Sequence, residues 1–108
     1  LQFLDTEKRN SLLDKVFSGM RKGGLLVLSE KIHFDNELRN KTLFNLHHNF
    51  KFKNGYTQME ISRKRDALEG VLVTDLEEDH NNRLKKLGFR NTRKVMSNLN
   101  FLTLISEK

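Results

Sequence analysis

The pattern of apolar positions predicts one strand around which the rest of the chain is organised. Leu25–Ser29 follows two glycines, begins with four consecutive apolar residues and is followed by charged ones. A continuous apolar run is typical of a strand covered on both faces, as in the parallel sheets of α/β proteins. We therefore predict a central parallel strand over 25–29. Ligands of such sheets bind beyond the carboxyl ends of the strands, where Glu30 and Lys31 stand, either as site residues or as a solvated strand end.

An amphipathic helix is predicted before this strand, over about 6–22. Asp5 stands where an N-cap is expected, and Gly23 stands where the helix should end. Leu1–Leu4 reads as the end of a further strand, so strand, helix and strand would form a βαβ unit. The apolar stripe of the helix consists of Leu12, Leu13, Val16, Phe17 and Met20.

The remaining pattern predicts a helical segment over about 36–70, a further helix ending at Gly88 and a C-terminal strand pair. The segments 57–60 and 74–77 both have the Thr-x-x-Glu spacing of a capping box, which marks a helix start. Only Asn100 separates the β-like runs 93–99 and 101–105, so an antiparallel pair is expected. Inward-facing positions in the first of these helices would be Leu43, Leu46, His47 and Phe50.

The amino-acid composition is that of a small folded domain and excludes some kinds of chemistry. The chain has 108 residues, no cysteine and a net charge of +6, with 36% hydrophobic and 31% charged residues. These values suit one small folded domain, and no stretch approaches the ~20 apolar residues of a membrane helix. The absence of cysteine excludes disulfides and thiolate chemistry within the chain and fits a cytoplasmic location. The dispersed positive charge favours anionic partners.

Arg65 is the strongest candidate for a binding residue. It follows Ile61 and precedes Leu68 at steps of four and three, so the three side chains share one helix face. An arginine on a face that is otherwise apolar needs an anion, and its planar fork suits a carboxylate. A ligand could supply that carboxylate, Glu69 could supply it from within the chain, or the side chain could extend to water.

Two other patterns suggest weaker candidates. His47 and His48 are adjacent and point about 100° apart on a helix, so no metal site is expected there. Phe50, Phe52 and Tyr56 alternate with lysines, as in proteins that stack single-stranded nucleic acid. The alternative is that at least two of these aromatic side chains are core contacts.

An ordered set of motifs resembles a known family. The motifs are Leu-Gln-Phe-Leu (1–4), Leu-Ser-Glu-Lys (28–31), Leu-Phe-Asn-Leu-His-His (43–48), Asn-Gly-Tyr (54–56) and Glu-Ile-Ser-x-Lys-Arg (60–65), followed by Thr-Asp (74–75), His80, Arg-Leu (83–84), Gly-Phe (88–89) and Asn-Phe (100–101). Their order resembles the carboxy-S-adenosyl-L-methionine synthase family of bacterial wobble-uridine tRNA modification. The resemblance covers all of this chain and the C-terminal half of such a protein.

This resemblance implies a class I methyltransferase fold, which is Rossmann-like, with residues 1–108 as the C-terminal part of one domain. Strands 4 to 7 would be 1–4, 25–29 and the last two runs, and the segment 36–70 would cover the active site. The half that binds S-adenosylmethionine would precede Leu1. Such enzymes convert S-adenosyl-L-methionine and prephenate into carboxy-S-adenosyl-L-methionine and phenylpyruvate, a ylide capturing the released carbon dioxide. The arginine matching Arg65 binds the new carboxylate.

The resemblance also implies a cytoplasmic homodimer without a metal, a membrane contact or direct nucleic-acid binding. Glu30, His48 and Tyr56 would lie near the substrate by chain position alone. Residues 95–99 depart from the aromatic-rich segment that the family has there, which bears on packing or dimer contacts. Two alternatives stay open at this point: an ordinary S-adenosylmethionine-dependent methyltransferase on the same fold, and a basic RNA-binding module without catalysis.

Overall fold

The computed structural model describes all 108 residues and has four helices and three strands. This confirms the α/β class predicted from the sequence, and no helix combines the length and the hydropathy that crossing a membrane requires. The helices are α1 (Thr6–Gly19), α2 (Glu37–Lys53), α3 (Gln58–Leu68) and α4 (Glu77–Lys86), and the strands are β1 (Leu25–Lys31), β2 (Arg90–Asn98) and β3 (Phe101–Glu107).

The three strands form one antiparallel sheet in the order β1-β3-β2. β2 and β3 are neighbours in sequence and form a hairpin whose connection is Leu99 and Asn100. The predicted C-terminal antiparallel pair is therefore confirmed. The last strand also pairs with β1, in a register that sets Lys31 opposite Phe101 and Leu25 opposite Glu107.

β1 is not the central parallel strand that we predicted over 25–29. It lies at an edge of the sheet and pairs only with β3, antiparallel. Its burial alternates, with Leu25 and Val27 64% and 61% exposed while Leu26 and Leu28 are half-buried. A run of apolar residues does not reveal which face is covered, because that depends on elements distant in sequence. Leu1–Leu4 forms a turn, closed by a bond from Leu4 N–H to the Leu1 carbonyl, and not the expected strand.

The core lies on one face of the sheet, where α1 and α4 cover it. Leu102 and Leu104 of β3 face Leu13 of α1 and Leu84 of α4. Further core residues are Ile32 and Phe89, and the side chains that pack on the core are Leu1, Phe17, Met20, Leu26, Phe34 and Leu87. The stripe predicted for α1 therefore faces the core at Leu13, Phe17 and Met20, whereas Leu12 is largely exposed.

The helix starts show where local signals succeed. Thr57 and Glu60 form the predicted capping box, with their backbone N–H groups bonded to each other's side chain at 2.8 and 3.2 Å. The box predicted for 74–77 is wrong, because α4 begins at Glu77 and the Asp79 carboxylate accepts from Leu76 N–H at 3.1 Å. Asp5 does not cap α1 through its side chain; its carboxylate contacts Lys8 at 2.8 Å instead.

Candidate anion-binding site

A cavity of about 490 Å³ lies between α2, α3 and the end of β1. Successive side chains of a strand alternate between the two faces of the sheet, so Lys31 lies on the face opposite to the core. The cavity that Lys31 lines therefore lies on that face as well. The ring of His47 packs edge-on against Phe101, with 5.3 Å between ring centroids, and this contact holds α2 over that end of the sheet. The basic and imidazole side chains lining the cavity are Lys31, His47, His48, Lys51, Lys64 and Arg65.

Arg65 lies in the last turn of α3 and lines this cavity with a side chain that is 56% exposed. Its guanidinium donates to the Asp66 carboxylate at 3.0 and 2.9 Å and to the Ser62 hydroxyl at 3.2 Å. The internal partner is therefore Asp66, not Glu69. Because both charges are exposed, the pair contributes no more than about 1 kcal/mol, so an incoming carboxylate can compete with Asp66.

The helix face predicted for Arg65 is present. Ile61 is buried and Leu68 is half-buried, and both line the cavity together with Arg65. On α2, by contrast, the predicted inward face is confirmed only in part. Leu43 and His47 are half-buried, whereas Leu46 and Phe50 are largely exposed, since α2 packs on one side, against α3 and the end of the sheet.

Three lysines give the cavity its charge. Lys31, Lys51 and Lys64 each line it, and none of them forms a salt bridge. Burial lowers the pKa of Lys51, and the charges of Lys64 and Lys31 lower it further. Burial likewise lowers the pKa of His47, with further contributions from Lys51, Lys31 and Lys64. The positive fields of the three lysines therefore overlap inside the cavity.

The structure brings together two of the four residues that we predicted near the substrate. His48 lines the same cavity as Arg65. Glu30 lies on the other face of β1, where it is buried and does not line the cavity. Tyr56 lies beyond the end of α2, is half exposed and does not line the cavity. No group of three or more side chains has the arrangement of a metal site.

The aromatic side chains near the end of α2 do not lie in the core. Phe50, Phe52 and Tyr56 are 60%, 55% and 50% exposed, so the expectation that two of them are core contacts is wrong. Phe50 and Phe52 both belong to α2. Residues two apart on a helix point about 200° from each other, so these two rings do not form one stacking surface.

A buried charge cluster joins residues that are far apart in sequence and that no sequence motif connects. The Asp75 carboxylate contacts the guanidinium of Arg9 at 2.8 Å and that of Arg83 at 2.9 Å. Arg9 is fully buried and also donates to the carbonyls of Leu4 and Val73 at 2.8 and 2.7 Å. Burial alone would raise the pKa of Asp75, but its hydrogen bonds with Arg9 and Arg83 outweigh that effect and lower it.

His80 is buried beside this cluster. Its Nε2 has no hydrogen-bond partner, and its Nδ1 lies 3.5 Å from a guanidinium nitrogen of Arg83. Burial lowers the pKa of His80, and the nearby Asp75 opposes that shift only in part. The cluster joins α1 to the segment before α4. Nothing local in the sequence marks it, since Arg9 and Asp75 are 66 residues apart.

Comparison with known proteins identifies similar chains. Proteins named carboxy-S-adenosyl-L-methionine synthase from Salmonella paratyphi C (strain RKS4594), Cronobacter sakazakii (strain ATCC BAA-894) and Escherichia coli O1:K1 / APEC are each 46% identical to this chain over 108 residues. The match covers all of this chain and 44% of each relative, so the chain spans less than half of their length. No family model matches. The resemblance stated from the ordered motifs is confirmed.

Proposed function

We propose that this chain is part of a carboxy-S-adenosyl-L-methionine synthase, which converts S-adenosyl-L-methionine and prephenate into carboxy-S-adenosyl-L-methionine and phenylpyruvate. The shared name of the 46% identical relatives supports the product. The observation that carries the proposal is Arg65, which reaches from an apolar face of α3 into a cavity lined by basic side chains. Its role would be to bind the carboxylate that distinguishes the product from S-adenosylmethionine.

The strand order of the sheet supports this assignment. We propose that residues 1–108 are the C-terminal part of a class I methyltransferase-like, Rossmann-like domain, with the half that binds the nucleoside outside this chain. β3 lies between β1 and β2, and the outer edge of β1 carries no strand. Further parallel strands of a larger sheet would pair along that edge, and β1 would then become the central strand that its apolar run suggests.

The proposed reaction balances without a further reactant. Prephenate loses its ring carboxylate as carbon dioxide and its hydroxyl as hydroxide, which leaves phenylpyruvate. The hydroxide takes one proton from the sulfonium methyl of S-adenosylmethionine, giving water, and the carbon dioxide forms a bond to that methyl carbon. Arg65 would hold the resulting carboxylate with two parallel hydrogen bonds. The apolar part of the lining, including Phe44 and Leu72, would limit access of water to the reacting groups.

The wider context follows from the same proposal. The enzyme would be a cytoplasmic transferase that acts as a homodimer, without a metal, and its product would supply wobble-uridine modification in tRNA. No direct binding of nucleic acid by this chain is needed for that role. These expectations depend on the resemblance to the longer relatives. The mass of the purified protein in solution tests the homodimer, and its metal content tests the absence of a metal.

Substitution of Arg65 tests the proposed function. In the full-length protein, Arg65→Ala should lower formation of the carboxylated product about 10- to 100-fold, because a charge-assisted contact is lost, while affinity for S-adenosylmethionine stays unchanged. Arg65→Lys should also fail substantially, since an ammonium group cannot make the two-point contact. Mass spectrometry of the product and calorimetry with S-adenosylmethionine give the two readouts.

Arg63→Ala is the matched control, because Arg63 is exposed on the same helix and does not line the cavity. It should retain wild-type product formation. If Arg65→Ala forms product at the wild-type rate, Arg65 does not have the proposed role.

Two alternatives make different predictions. An ordinary methyltransferase would yield demethylated S-adenosylmethionine and would not need prephenate, so the product mass separates it from the synthase. An RNA-binding module would use the exposed Phe50, Phe52 and Tyr56 beside Lys51 and Lys53, although Phe50 and Phe52 point to different sides of α2. That function requires RNA affinity that falls steeply with added salt, and its absence would exclude the RNA-binding module.

A further inference from the structure

The cavity holds more positive charge than Arg65 alone explains. Arg65 already has a carboxylate partner in Asp66, at 2.9 Å. Lys31, Lys51 and Lys64 have none, and the one acidic side chain in the lining, Glu69, pairs with none of them. Cations that converge on one hollow without a counter-ion attract an anion from solution.

The three lysines come from three different elements. Lys31 ends β1, Lys51 lies in the last turn of α2 and Lys64 lies on α3. Lys51 is four residues from His47 and therefore lies on the same face of α2, which is the face that packs towards Phe101. Such convergence of separate elements is typical of a binding site, whereas a charged helix surface would draw its lysines from a single element.

Arg65 and the lysines occupy separable parts of the site. Arg65 also lines a second, shallower hollow, where its neighbours are Phe44, Asn45, His48 and Asn49. None of the three lysines lines that second hollow. Lys64 and Arg65 are adjacent on α3 and so point about 100° apart. One anionic group at the guanidinium and a second at the lysines can therefore be bound together.

If the proposed function holds, the chemistry of prephenate requires two such positions. One of its two carboxylates leaves as carbon dioxide and ends on the product, beside Arg65. The other remains on phenylpyruvate throughout and needs a cation of its own. We propose that Lys31, Lys51 and Lys64 form a second carboxylate subsite, which binds the side-chain carboxylate that prephenate shares with phenylpyruvate.

The surroundings of His47 support this subsite. Burial and the three lysines lower the pKa of His47, so its imidazole is neutral at pH 7 and adds no charge to the cavity. A carboxylate bound among the lysines would cancel part of their field and raise the pKa of His47 again. His47 is thus a reporter of occupancy inside the proposed subsite.

Kinetics with prephenate give the first test. In the full-length protein, Lys51→Gln and Lys64→Gln should each raise the KM for prephenate about tenfold, because each removes one charge-assisted contact. The affinity for S-adenosylmethionine should not change. Lys64→Arg should restore most of the KM, since it restores the positive charge, and this rescue excludes misfolding as the cause.

Lys53→Gln is the matched control. It lies on α2, two residues after Lys51, is exposed and does not line the cavity. Its KM for prephenate should equal that of the wild type. If Lys51→Gln and Lys64→Gln also keep the wild-type KM while the enzyme makes its product, the subsite is overturned and the proposed function stands.

A second measurement keeps the two proposals distinguishable. Malonate, a small dicarboxylate, is titrated against the full-length protein while NMR follows the His47 imidazole. If the wild type makes no carboxylated product, yet malonate raises the His47 pKa and the Lys51→Gln/Lys64→Gln double variant loses this response, the anion subsite stands and the proposed function fails. If product is absent and malonate leaves His47 unchanged, both are overturned.

Discussion

Two groups of cationic side chains lie in different surroundings: one is buried in the protein, and the other lines the cavity. Arg9 and Arg83 are buried and share the carboxylate of Asp75. The lysines at the cavity between α2 and α3 are half-buried or exposed, and no carboxylate of the chain forms a salt bridge with them. Where the chain supplies the counter-ion, the charges hold elements together. Where it does not, an anion from solution can supply the counter-ion.

The choice of side chain matches this difference. A guanidinium is more weakly hydrated than an ammonium and donates in several fixed directions, so it tolerates burial and can bond several carbonyls at once. Arg9 does so with Leu4 and Val73 in addition to Asp75. Lysine carries a compact charge on a flexible stem, which suits a site that must bind and release an anion.

The largest effect is expected from removing the buried counter-ion. Asp75→Asn leaves Arg9 and Arg83 buried without a charge partner, and breaking a buried pair in this way costs about 3–5 kcal/mol. That is a large fraction of the stability of a typical domain. Urea denaturation of the full-length protein, followed by circular dichroism, measures the change.

Asp66→Asn is the matched control for this loss. It removes a carboxylate that also pairs with an arginine, Arg65, but at the surface. An exposed pair contributes no more than about 1 kcal/mol, so the urea midpoint should hardly move. Equal losses in Asp66→Asn and Asp75→Asn would mean that burial does not distinguish the two groups of charges.

Features that depend on residues close together in sequence could be predicted, whereas the contact between Arg9 and Asp75 could not. The capping box at Thr57 and the hairpin of β2 and β3 depend on neighbours in sequence, and both were found. The face shared by Ile61 and Arg65 also follows from spacing along one helix. The spacing at 74–77 indicates a capping box around Asp75, whereas the role of Asp75 depends on Arg9, far away in sequence.

The site was predictable only in part for the same reason. Arg65 could be identified from its place on an apolar face, and Lys31 from the end of a strand. Which side of the sheet each residue faces could not be read from the apolar run of β1. That choice separates Lys31, at the cavity, from the neighbouring Glu30, which is buried on the core face.

A smaller effect is expected on acidification. Burial lowers the pKa of His80 from its ordinary value of 6.5, although the carboxylates of Asp75 and Glu30 oppose this and Arg83 and Arg9 add to it. Below about pH 6.5 the unfolded chain takes up a proton that the folded chain refuses, so stability falls. The urea midpoint should therefore drop between pH 7.5 and pH 5.5.

His80→Gln should lose part of this drop, since it removes the titrating group. His33→Gln, at an exposed histidine, should keep all of it. A drop of the same size in His80→Gln would show that His80 does not cause the acid sensitivity. Asp75 acts in a separate window: its lowered pKa stabilises the fold above pH 3.8, and this contribution is lost only at more acidic pH.

The smallest effect on stability is expected from adding a carboxylate to the lining of the cavity. Ser62 is half-buried in the cavity lining, beside Arg65. Ser62→Asp would place a carboxylate there and raise stability by no more than about 1 kcal/mol, while weakening malonate binding. Ser62→Asn, of the same size without the charge, should keep malonate binding. If Ser62→Asp binds malonate as the wild type does, the cavity does not recognise the anion by charge.

The bonds of Arg9 also bear on the order in which the chain folds. The hairpin of β2 and β3 closes across two residues, whereas the bond from Arg9 to the Val73 carbonyl spans 64. Because contacts that close long loops form slowly, we expect the hairpin to lie in the folding nucleus and the Arg9 cluster to close after the rate-limiting step. Weakening the cluster would then accelerate unfolding and leave the folding rate nearly unchanged.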